Sequence, residues 1–272
     1  MNITLKYKNY IKQSINKFML SKGYSDNNIY YLIKNKNVLV NDELVKDKNY
    51  LLTFNSEIKV TLNDEENSLI PYESRLDVVY EDEYLLIVNK EKNIDVEPTK
   101  LNNESSLSNM VTYYFKINNI KSKIHLVNRL DKLTTGLVII AKNQYIHNLM
   151  QNVKIDKRYL ALVKGKINKK GSIKVKIDRV VGSIKREVND TGKLSITKYK
   201  LVKCDNGNSL VDIKLLTGRT HQIRVSFSHI NHPLVGDPIY GNDNEENMYL
   251  NAYYLSFVHP IHKKKIKVKL TH

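Results

Sequence analysis

One short apolar run, Leu137–Ala141, limits the possible folds of this chain more than any other segment. A continuous run of that length, opened by Gly136, predicts a β-strand that is buried on both faces. The run directly follows the sequence NRLDKLTT, so Arg129 and Asp131 lie at the mouth of the predicted strand. Proteins commonly place reactive groups on loops that a rigid scaffold holds. A structural Arg129–Asp131 pair, with the threonines bonding turn backbone, fits the same residues.

The composition indicates a globular protein of a reducing compartment. The 272 residues are 41% apolar, enough for a sizeable core, and include a single cysteine, Cys204. One cysteine excludes a disulfide framework and a thiolate-rich metal site. No segment approaches the roughly 18 consecutive apolar residues of a membrane span, and no uninterrupted signal-peptide core opens the chain. We therefore expect a cytoplasmic, monomeric protein that does not enter a membrane.

The charge points to a polyanionic partner. The formal net charge is +16, and only seven of the 44 basic residues are arginines. Such an excess of positive charge favours nucleic acid. Arginine is needed where a planar fork must grip a carboxylate, a phosphate or a base edge. The arginines are Arg75, Arg129, Arg158, Arg179, Arg186, Arg219 and Arg224, and four of them lie in the motifs described below.

The chain divides into a small N-terminal module, a linker and a larger domain. Residues 1–63 predict two helices and then short strands, with the second helix capped by Ser25. Apolar residues from Tyr10 to Met19 fit the face of the first helix. Residues 64–74 are polar, contain Pro71 and suit a linker. Residues 75–272 predict a hairpin, a helix for which Ser105 and Ser106 are candidate caps, a helix capped by Asn143, and a series of strands. We expect an α+β fold with a mixed, largely antiparallel sheet.

Two further stretches are rich in chemically active side chains. The sequence LLTGRTHQIRVSFSHINHPLVGDPIYG, residues 215–241, places many polar groups among turn residues. Thr220 is a candidate cap for a helix inside it, and the density of polar groups predicts the wall of a pocket. The sequence KRYLALVKG, residues 157–165, begins a strand with Tyr159. A tyrosine in a strand is more often a core residue than a site residue.

Together these stretches resemble the RluA-type pseudouridine synthases. The sequences NRLDKLTTG, KRYLALVKG and LLTGRTHQIRV…HPLVGDPIYG occur in the order and spacing of that family, over about residues 75–270. Asn128 stands where many members have His, and Thr135 where Ser is usual. The segment NKEKNIDVEP lacks the Pro, Gly and His of the commoner form. The arrangement of residues 1–63, with the sequence VLVND after two helices, resembles the S4 RNA-binding domain. Asp26 stands where an Arg is common there, and a helical cap on the larger domain is the alternative.

The resemblance implies an isomerase that converts uridine in structured RNA to pseudouridine, with large-subunit rRNA favoured over tRNA. It implies that Asp131 is the catalytic carboxylate and that Arg224 pairs with it. It also implies that Tyr159 packs on the target base and is a candidate to take the C5 proton. It also suggests substrate-binding roles, which we assign to Arg129, Thr134, Arg219, His221 and Gln222. The reaction needs no metal or nucleotide cofactor, and the histidines show no metal-ligand spacing. A non-catalytic RNA-binding or ribosome-assembly factor on the same fold is the rival hypothesis. An Asp-nucleophile glycosidase is disfavoured because no paired second carboxylate is apparent.

Overall fold

A computed structural model describes residues 3–63, 66–99, 102–241 and 247–271. The first two residues of the predicted linker therefore lie outside the described residues. Within these ranges no helix is both long enough and apolar enough to cross a bilayer.

The N-terminal part, residues 3–63, contains two helices and six short strands. Its elements are β1 (Thr4–Lys8), β2 (Gln13–Ser14), α1 (Ile15–Ser21), α2 (Asp26–Lys34), β3 (Val38–Val40), β4 (Glu43–Leu44), β5 (Leu51–Leu52) and β6 (Glu57–Thr61). Ser25 caps α2 by accepting the Asn28 N–H, as predicted. The first helix was predicted too long, because α1 begins only after Ser14, and Tyr10 and Ile11 are exposed.

The N-terminal strands form a four-stranded sheet in the order β1-β6-β3-β4, and β2 pairs with β5. The sequence analysis did not predict β1, whose pairing with β6 runs antiparallel from Thr4 to Lys8. Val38, Val40, Ile58 and Val60 are buried under the helices. The alternation of apolar and polar residues in these strands gives the sheet one face for the core.

The larger part contains three helices and eleven strands. Its elements are β7 (Val78–Glu81), β8 (Leu85–Lys90), α3 (Leu107–Ile117), β9 (His125–Leu126), β10 (Thr135–Ala141), α4 (Gln144–Gln151), β11 (Asp156–Lys164), β12 (Lys170–Arg179), β13 (Arg186–Val188), β14 (Lys193–Asp205), β15 (Asn208–Leu215), α5 (Gln222–His229), β16 (Leu250–Val258) and β17 (Lys265–Lys269). Ser106 and Asn143 cap α3 and α4, which confirms both predicted caps.

The eleven strands form one sheet, in the order β13-β12-β14-β15-β11-β16-β10-β8-β7, with β17 beside β16 and β9 beside β10. The β10–β16 pair is parallel and the other described pairs are antiparallel, which confirms a mixed, largely antiparallel sheet. Gly136 lies at that parallel junction with a φ of +111°, and a Cβ there would stand 2.4 Å from the Ala252 carbonyl oxygen. Only glycine allows the two halves of the sheet to meet so closely.

The strand β10 divides two apolar cores, because its side chains alternate between them. Leu137 and Ile139 belong to the first core, which also contains the N-terminal residues Ile15 and Phe18. Val138 and Ile140 belong to the second core. Residues 136–141 are buried throughout, so the prediction of a strand buried on both faces is confirmed.

The N-terminal part packs on α4 through aromatic residues. The rings of Tyr24 and Tyr145 are stacked, with centroids 4.0 Å apart. The Tyr145 hydroxyl donates to the Lys22 carbonyl at 2.8 Å and lies 3.2 Å from the Tyr7 hydroxyl. Both stacked rings are almost fully buried. The N-terminal part therefore shares the first core, whereas Tyr159 lies in the second core on the other side of β10.

Candidate active site

All eight residues that the sequence analysis selected line one pocket. It lies where β11 and β16 begin and β15 ends, beside the start of α5. The lining residues are Arg129, Leu130, Asp131, Thr134, Tyr159, Leu215, Arg219, His221, Gln222, Ile223, Arg224 and Leu250. Asp131 is the one acidic residue among these described lining residues. The fold thus brings together three segments that are far apart in sequence.

The loop that carries Asp131 is fixed at both ends. Asn128 precedes it, and its side chain bonds the backbone of β10 by accepting the Ile139 N–H at 2.9 Å and donating to the Leu137 carbonyl at 3.2 Å. After it, the Thr134 N–H donates to the Asp131 carbonyl at 2.9 Å. These bonds tie the loop to the buried strand, while the Asp131 carboxylate stays 28% exposed to the pocket.

A buried lysine, which the sequence analysis missed, supports the same loop from beneath. Lys90 ends β8, and its ammonium donates to the carbonyls of Glu91, Ile94 and Lys132 at 2.8, 2.9 and 3.1 Å. Burial lowers the pKa of Lys90 to about 8, although the carboxylates of Asp95 and Asp131 oppose the shift. The signal in the sequence was a lysine two positions after the apolar run LLIV, at the end of the predicted strand.

Arg224 lies between two aspartates and binds them unequally. Its Nε and Nη2 donate to the Asp237 carboxylate at 2.8 and 2.7 Å, in a parallel, bidentate pair. Its Nη1 reaches Asp131 Oδ2 at 3.4 Å. Arg224 is 3% exposed and Asp237 is fully buried. The predicted contact between Arg224 and Asp131 is present, but the stronger partner is Asp237, one of the polar residues of the turn-rich segment 215–241.

Asp237 remains ionised because several donors surround it. Burial alone would raise its pKa, but the bonds from Arg224 and from the N–H groups of Ile239 and Tyr240 hold the pKa of Asp237 below its usual range. The charge of Asp237 in turn offsets the cost of burying the guanidinium. Arg224 is consequently locked in one orientation, with one remaining N–H group aimed at Asp131.

The helix α5 begins without the predicted cap at Thr220. The residue before its first turn is His221, in the left-handed region with φ 55°, and its side chain makes no capping bond. That conformation turns the imidazole towards the pocket, with Nε2 3.7 Å from Asp131 Oδ2 and Nδ1 2.9 Å from the Tyr240 hydroxyl. Burial lowers the pKa of His221, against the opposing effect of Asp131.

Tyr240 holds the imidazole of His221 in place. The Tyr240 oxygen accepts the Arg186 backbone N–H at 2.8 Å and forms a hydrogen bond with His221 Nδ1 at 2.9 Å. The other ring nitrogen, Nε2, therefore faces Asp131 and the pocket. Tyr240, which stands in the turn-rich segment GDPIYG, was not predicted from the sequence.

Tyr159 forms an apolar wall of the pocket. Its ring is 8% exposed and lies in the second core. Burial, together with the nearby charge of Asp131, raises the pKa of the Tyr159 hydroxyl well above its usual range. The side chain is a neutral phenol at ordinary pH, suited to packing on an apolar ring.

The remaining predicted residues differ in how free they are to meet a ligand. Arg129 is exposed and pairs with Glu97 at 2.6 Å. Arg219 is also at the surface, where its Nε donates to the Leu194 carbonyl at 3.3 Å. The Thr134 hydroxyl is buried and has no hydrogen-bond partner within the described ranges. Arg129 and Arg219 thus lie at the rim of the pocket, and Thr134 lies in its wall.

The Gln222 side chain is occupied by the protein itself. Its amide oxygen accepts from the Arg219 N–H and the Thr217 hydroxyl, both at 3.0 Å. Its amide nitrogen donates to the Ile196 carbonyl at 3.2 Å and the Thr197 hydroxyl at 3.0 Å. Gln222 thereby holds the turn that presents Arg219, while its predicted contact with substrate remains a prediction.

Two histidines gather with an aspartate outside this pocket. Asp82, His259 and His262 each offer a ligand atom, and these atoms lie within 4.8 Å of one another. His259 Nδ1 accepts the N–H groups of Ile261 and His262, so its proton stands on Nε2. That N–H lies 3.2 Å from Asp82 Oδ2 but is poorly directed for a hydrogen bond. A protonated Nε2 offers no lone pair to a metal, so we interpret the group as a contact between two hairpins.

The fold and the pocket define a class of RNA-modifying enzymes. The model of the family described as RNA pseudouridylate synthase matches residues 84–229, more than half of the chain. The solved structure titled human RNA pseudouridylate synthase domain containing 1 is similar with a TM-score of 0.60 and 26% identity, over 75% of this chain and 86% of that one. A second human structure, domain containing 4, has a TM-score of 0.58 at 18% identity, over 72% and 88% of the two chains.

The chain belongs to the RNA pseudouridylate synthase family. A relative from Mycoplasma genitalium, named an uncharacterized RNA pseudouridine synthase, is 33% identical over 84% of this chain and 79% of the relative. Ribosomal large subunit pseudouridine synthase D of Buchnera aphidicola is 35% identical over 62% of this chain and 61% of its own length. An uncharacterized RNA pseudouridine synthase of Bacillus subtilis is 31% identical over 62% and 63%. The matched part thus spans less than two thirds of the last two relatives.

Proposed function

We propose that this protein isomerises uridine to pseudouridine in structured RNA, with Asp131 as the catalytic carboxylate. The observation that carries the proposal is the lone carboxylate of a basic pocket, with Arg224, His221, Arg219 and Arg129 around it. A pocket that only bound phosphates would gain nothing from a negative charge at its centre, because the carboxylate repels the ligand. Family membership supports the same activity.

The reaction rearranges one nucleotide and consumes no other reactant. The bond from C1′ to N1 breaks, the freed base rotates, and a bond from C1′ to C5 forms. The C5 proton is lost and N1 gains one, so atoms and charge balance. The Asp131 carboxylate serves by attacking the nucleotide or by stabilising the oxocarbenium-like sugar. Chemistry of this kind proceeds without a metal or nucleotide cofactor.

Arg224 and Tyr159 prepare the pocket for that step. Arg224 is held rigid by Asp237 and directs an N–H group at Asp131 Oδ2, which fixes the orientation of the carboxylate. Tyr159 provides the face on which the target base packs. Its raised pKa keeps the phenol un-ionised at ordinary pH, so no phenolate is available to act as a base, and we assign Tyr159 to packing and leave the C5 proton to another group or to water.

The target nucleotide must leave its helix to reach Asp131. Flipping costs a few kcal/mol, which stacking on an aromatic ring offsets by about 1–3 kcal/mol. Arg129, exposed beside Glu97, is placed to order the vacated position once RNA displaces its partner. Arg219 contacts a phosphate. The Thr134 hydroxyl and the His221 imidazole form hydrogen bonds with the target nucleotide. Gln222 acts on the substrate through the turn that it holds.

We assign the substrate to large-subunit rRNA. One relative, from Buchnera aphidicola, is named for the ribosomal large subunit, and the high positive charge of this chain suits a long RNA. The N-terminal residues 1–63 form an S4-like module that adds RNA contacts, residues 64–74 join it to the catalytic domain of residues 75–272, and the protein acts as a cytoplasmic monomer. A tRNA uridine is the second candidate substrate.

Turnover on defined transcripts tests the proposal. Large-subunit rRNA and bulk tRNA transcripts, labelled with tritium at uridine C5, are incubated with the purified protein, and tritium release is followed. Release from rRNA alone supports the assigned target, and release from tRNA alone moves the assignment to tRNA. If neither releases tritium although both bind, the non-catalytic RNA-binding factor is the correct interpretation.

A further inference from the structure

A second groove lies on the same side of the sheet as the catalytic pocket, at the other end of α5. Its volume is about 510 Å³, larger than that of the catalytic pocket. Ile173, Val175 and Ile230 form its apolar floor and belong to the second core, together with Tyr159. The N-terminal part packs against the first core instead, on the other side of β10.

The position of the groove fits a chain that leaves the catalytic pocket. The strand β12, which forms one wall, is separated from β11 and Tyr159 by β14 and β15. Three strand spacings amount to about 14 Å. His229, in the opposite wall, is the last residue of α5, and Arg224 precedes it by about 7 Å of helix. A nucleic-acid chain would span each of these distances with a few nucleotides at most.

The charge of the groove is positive. Lys166, Lys170 and Lys174 line it and are exposed, and His229 and His232 add imidazoles. None of the described lining residues is acidic. The groove also runs along a sheet edge, because β13 covers β12 only from Ile177 to Arg179. An extended anionic ligand matches both the charge and the open edge.

An aromatic ring is held in place inside the groove. Gly171 lies under Tyr199, and a Cβ at Gly171 would come within 2.5 Å of the ring. The ring also packs on Phe227, with centroids 5.5 Å apart. Tyr199 remains partly exposed and lines the groove. Lys170 and Lys174 alternate with Gly171 along β12, so they flank the open edge from the other face of the sheet. An aromatic face at an edge lined by lysines is a combination by which proteins bind single-stranded nucleic acid.

We propose that this groove binds the RNA segment that flanks the target uridine, with phosphates on Lys166, Lys170 and Lys174 and a base against Tyr199. The inference rests on the proposed function, because it names the path by which the same RNA leaves the catalytic pocket.

The test compares two triple variants of equal charge. Lys166→Gln/Lys170→Gln/Lys174→Gln removes the groove lysines, and Lys265→Gln/Lys267→Gln/Lys269→Gln removes three exposed lysines of β17. The probe is a fluorescein-labelled oligouridylate of about 16 nucleotides, and its affinity is measured by anisotropy against salt. The groove variant should lower the slope of log affinity against log salt by about 2, since each single-strand phosphate contributes about 0.7. The β17 variant should leave the slope unchanged.

Tyr199→Leu provides an independent arm, because leucine keeps the apolar contact with Phe227 and removes the aromatic face. We expect affinity for the same probe to fall about fivefold or more. The groove proposal is wrong if both groove variants bind like wild type, or if the β17 triple variant loses as much slope as the groove triple variant. Tritium release by wild type is measured in parallel. Turnover with unchanged groove binding rejects the groove alone, whereas binding without turnover rejects the proposed function.

Discussion

Arg224 donates two parallel hydrogen bonds to Asp237, at 2.8 and 2.7 Å, and only one longer bond to Asp131. The fully buried Asp237 therefore carries most of the charge compensation for the guanidinium. The proposed reaction requires Asp131 near Arg224 but not in a tight bidentate pair with it, because a carboxylate in such a pair is a weaker nucleophile. The unequal sharing leaves Asp131 available while still orienting it.

Replacing Asp237 should damage both stability and catalysis. Asp237→Asn leaves the Arg224 charge buried without its partner, a type of change that costs about 3–5 kcal/mol. The control is Asp212→Asn, which breaks the more exposed Arg158–Asp212 pair and should cost less than about 1 kcal/mol. Urea unfolding measures both. Equal losses of unfolding free energy in the two variants would show that the buried pair stabilises the fold no more than the exposed pair does.

The same pair predicts how stability changes with acid. The folded-state pKa of Asp237 is lowered, so its contribution is fully present above the unfolded value of about 3.9 and is lost as pH falls through the folded pKa. Asp237→Asn has no carboxyl group at this position. The difference in unfolding free energy between wild type and this variant should therefore shrink below about pH 4. A difference that stays constant from neutral pH to pH 3 contradicts the assignment.

Lys90 should be essential for the rate although it does not reach the pocket. Lys90→Met removes the three bonds that hold the loop of Asp131, and a small displacement of a catalytic group costs about 100-fold. Because the pKa of Lys90 is lowered to about 8, the wild-type rate should also fall above that pH as the ammonium loses its proton. The control Lys92→Met should keep both the rate and the pH profile. Single-turnover rates of the three proteins from neutral to alkaline pH provide the measurement.

Tyr240→Phe should slow the reaction without weakening RNA binding. The variant loses the hydroxyl that bonds His221 Nδ1 at 2.9 Å, so the imidazole is free to turn. We expect the single-turnover rate to fall about tenfold or more, with the RNA dissociation constant unchanged. Tyr249→Phe, at an exposed ring, is the control. A loss of affinity at an unchanged rate would place Tyr240 in binding instead.

The sequence predicted the central fold well where its signals were local. The run Leu137–Ala141 has no polar residue to occupy a solvent face, so its burial followed directly. Ser25, Ser106 and Asn143 were correct caps because each accepts a backbone N–H that the adjacent helix leaves free. Thr220 failed as a cap because the chain enters α5 through His221 in a left-handed conformation. Local propensity does not report such a conformation.

The sequence predicted residues that the fold brings into one pocket, but it did not predict how they pair. All eight selected residues line the pocket, but their partners come from distant segments. Lys90 lies 41 positions before Asp131 and donates to the backbone carbonyl of Lys132. Because its partner is a backbone group, no complementary side chain in the sequence indicates the contact. Asp237 was masked by its place in a turn, where an aspartate has an ordinary explanation. The shared core of the N-terminal part with α4 also depends on contacts that only the folded chain brings together.

The contribution of that shared core to stability should be measurable in the intact chain. Tyr24→Ala removes a buried ring that stacks on Tyr145, and a large buried aromatic lost to alanine costs about 3–5 kcal/mol. Tyr31→Ala, at an exposed position of the same part, should change stability by less than about 0.5 kcal/mol. If chemical unfolding shows two separate transitions and Tyr24→Ala moves only the first, residues 1–63 fold independently of α4.

The single-turnover rate of Asp131→Asn tests the central claim most directly. Asparagine keeps the size of the side chain and most of its hydrogen bonds but removes the negative charge. With enzyme saturating over C5-tritiated rRNA transcript, wild type should release tritium, and Asp131→Asn should release none above background. RNA affinity and thermal unfolding of the variant should match those of Asp212→Asn, which should retain full activity. Tritium release by Asp131→Asn within tenfold of the wild-type rate would contradict the assignment of Asp131 as the catalytic carboxylate.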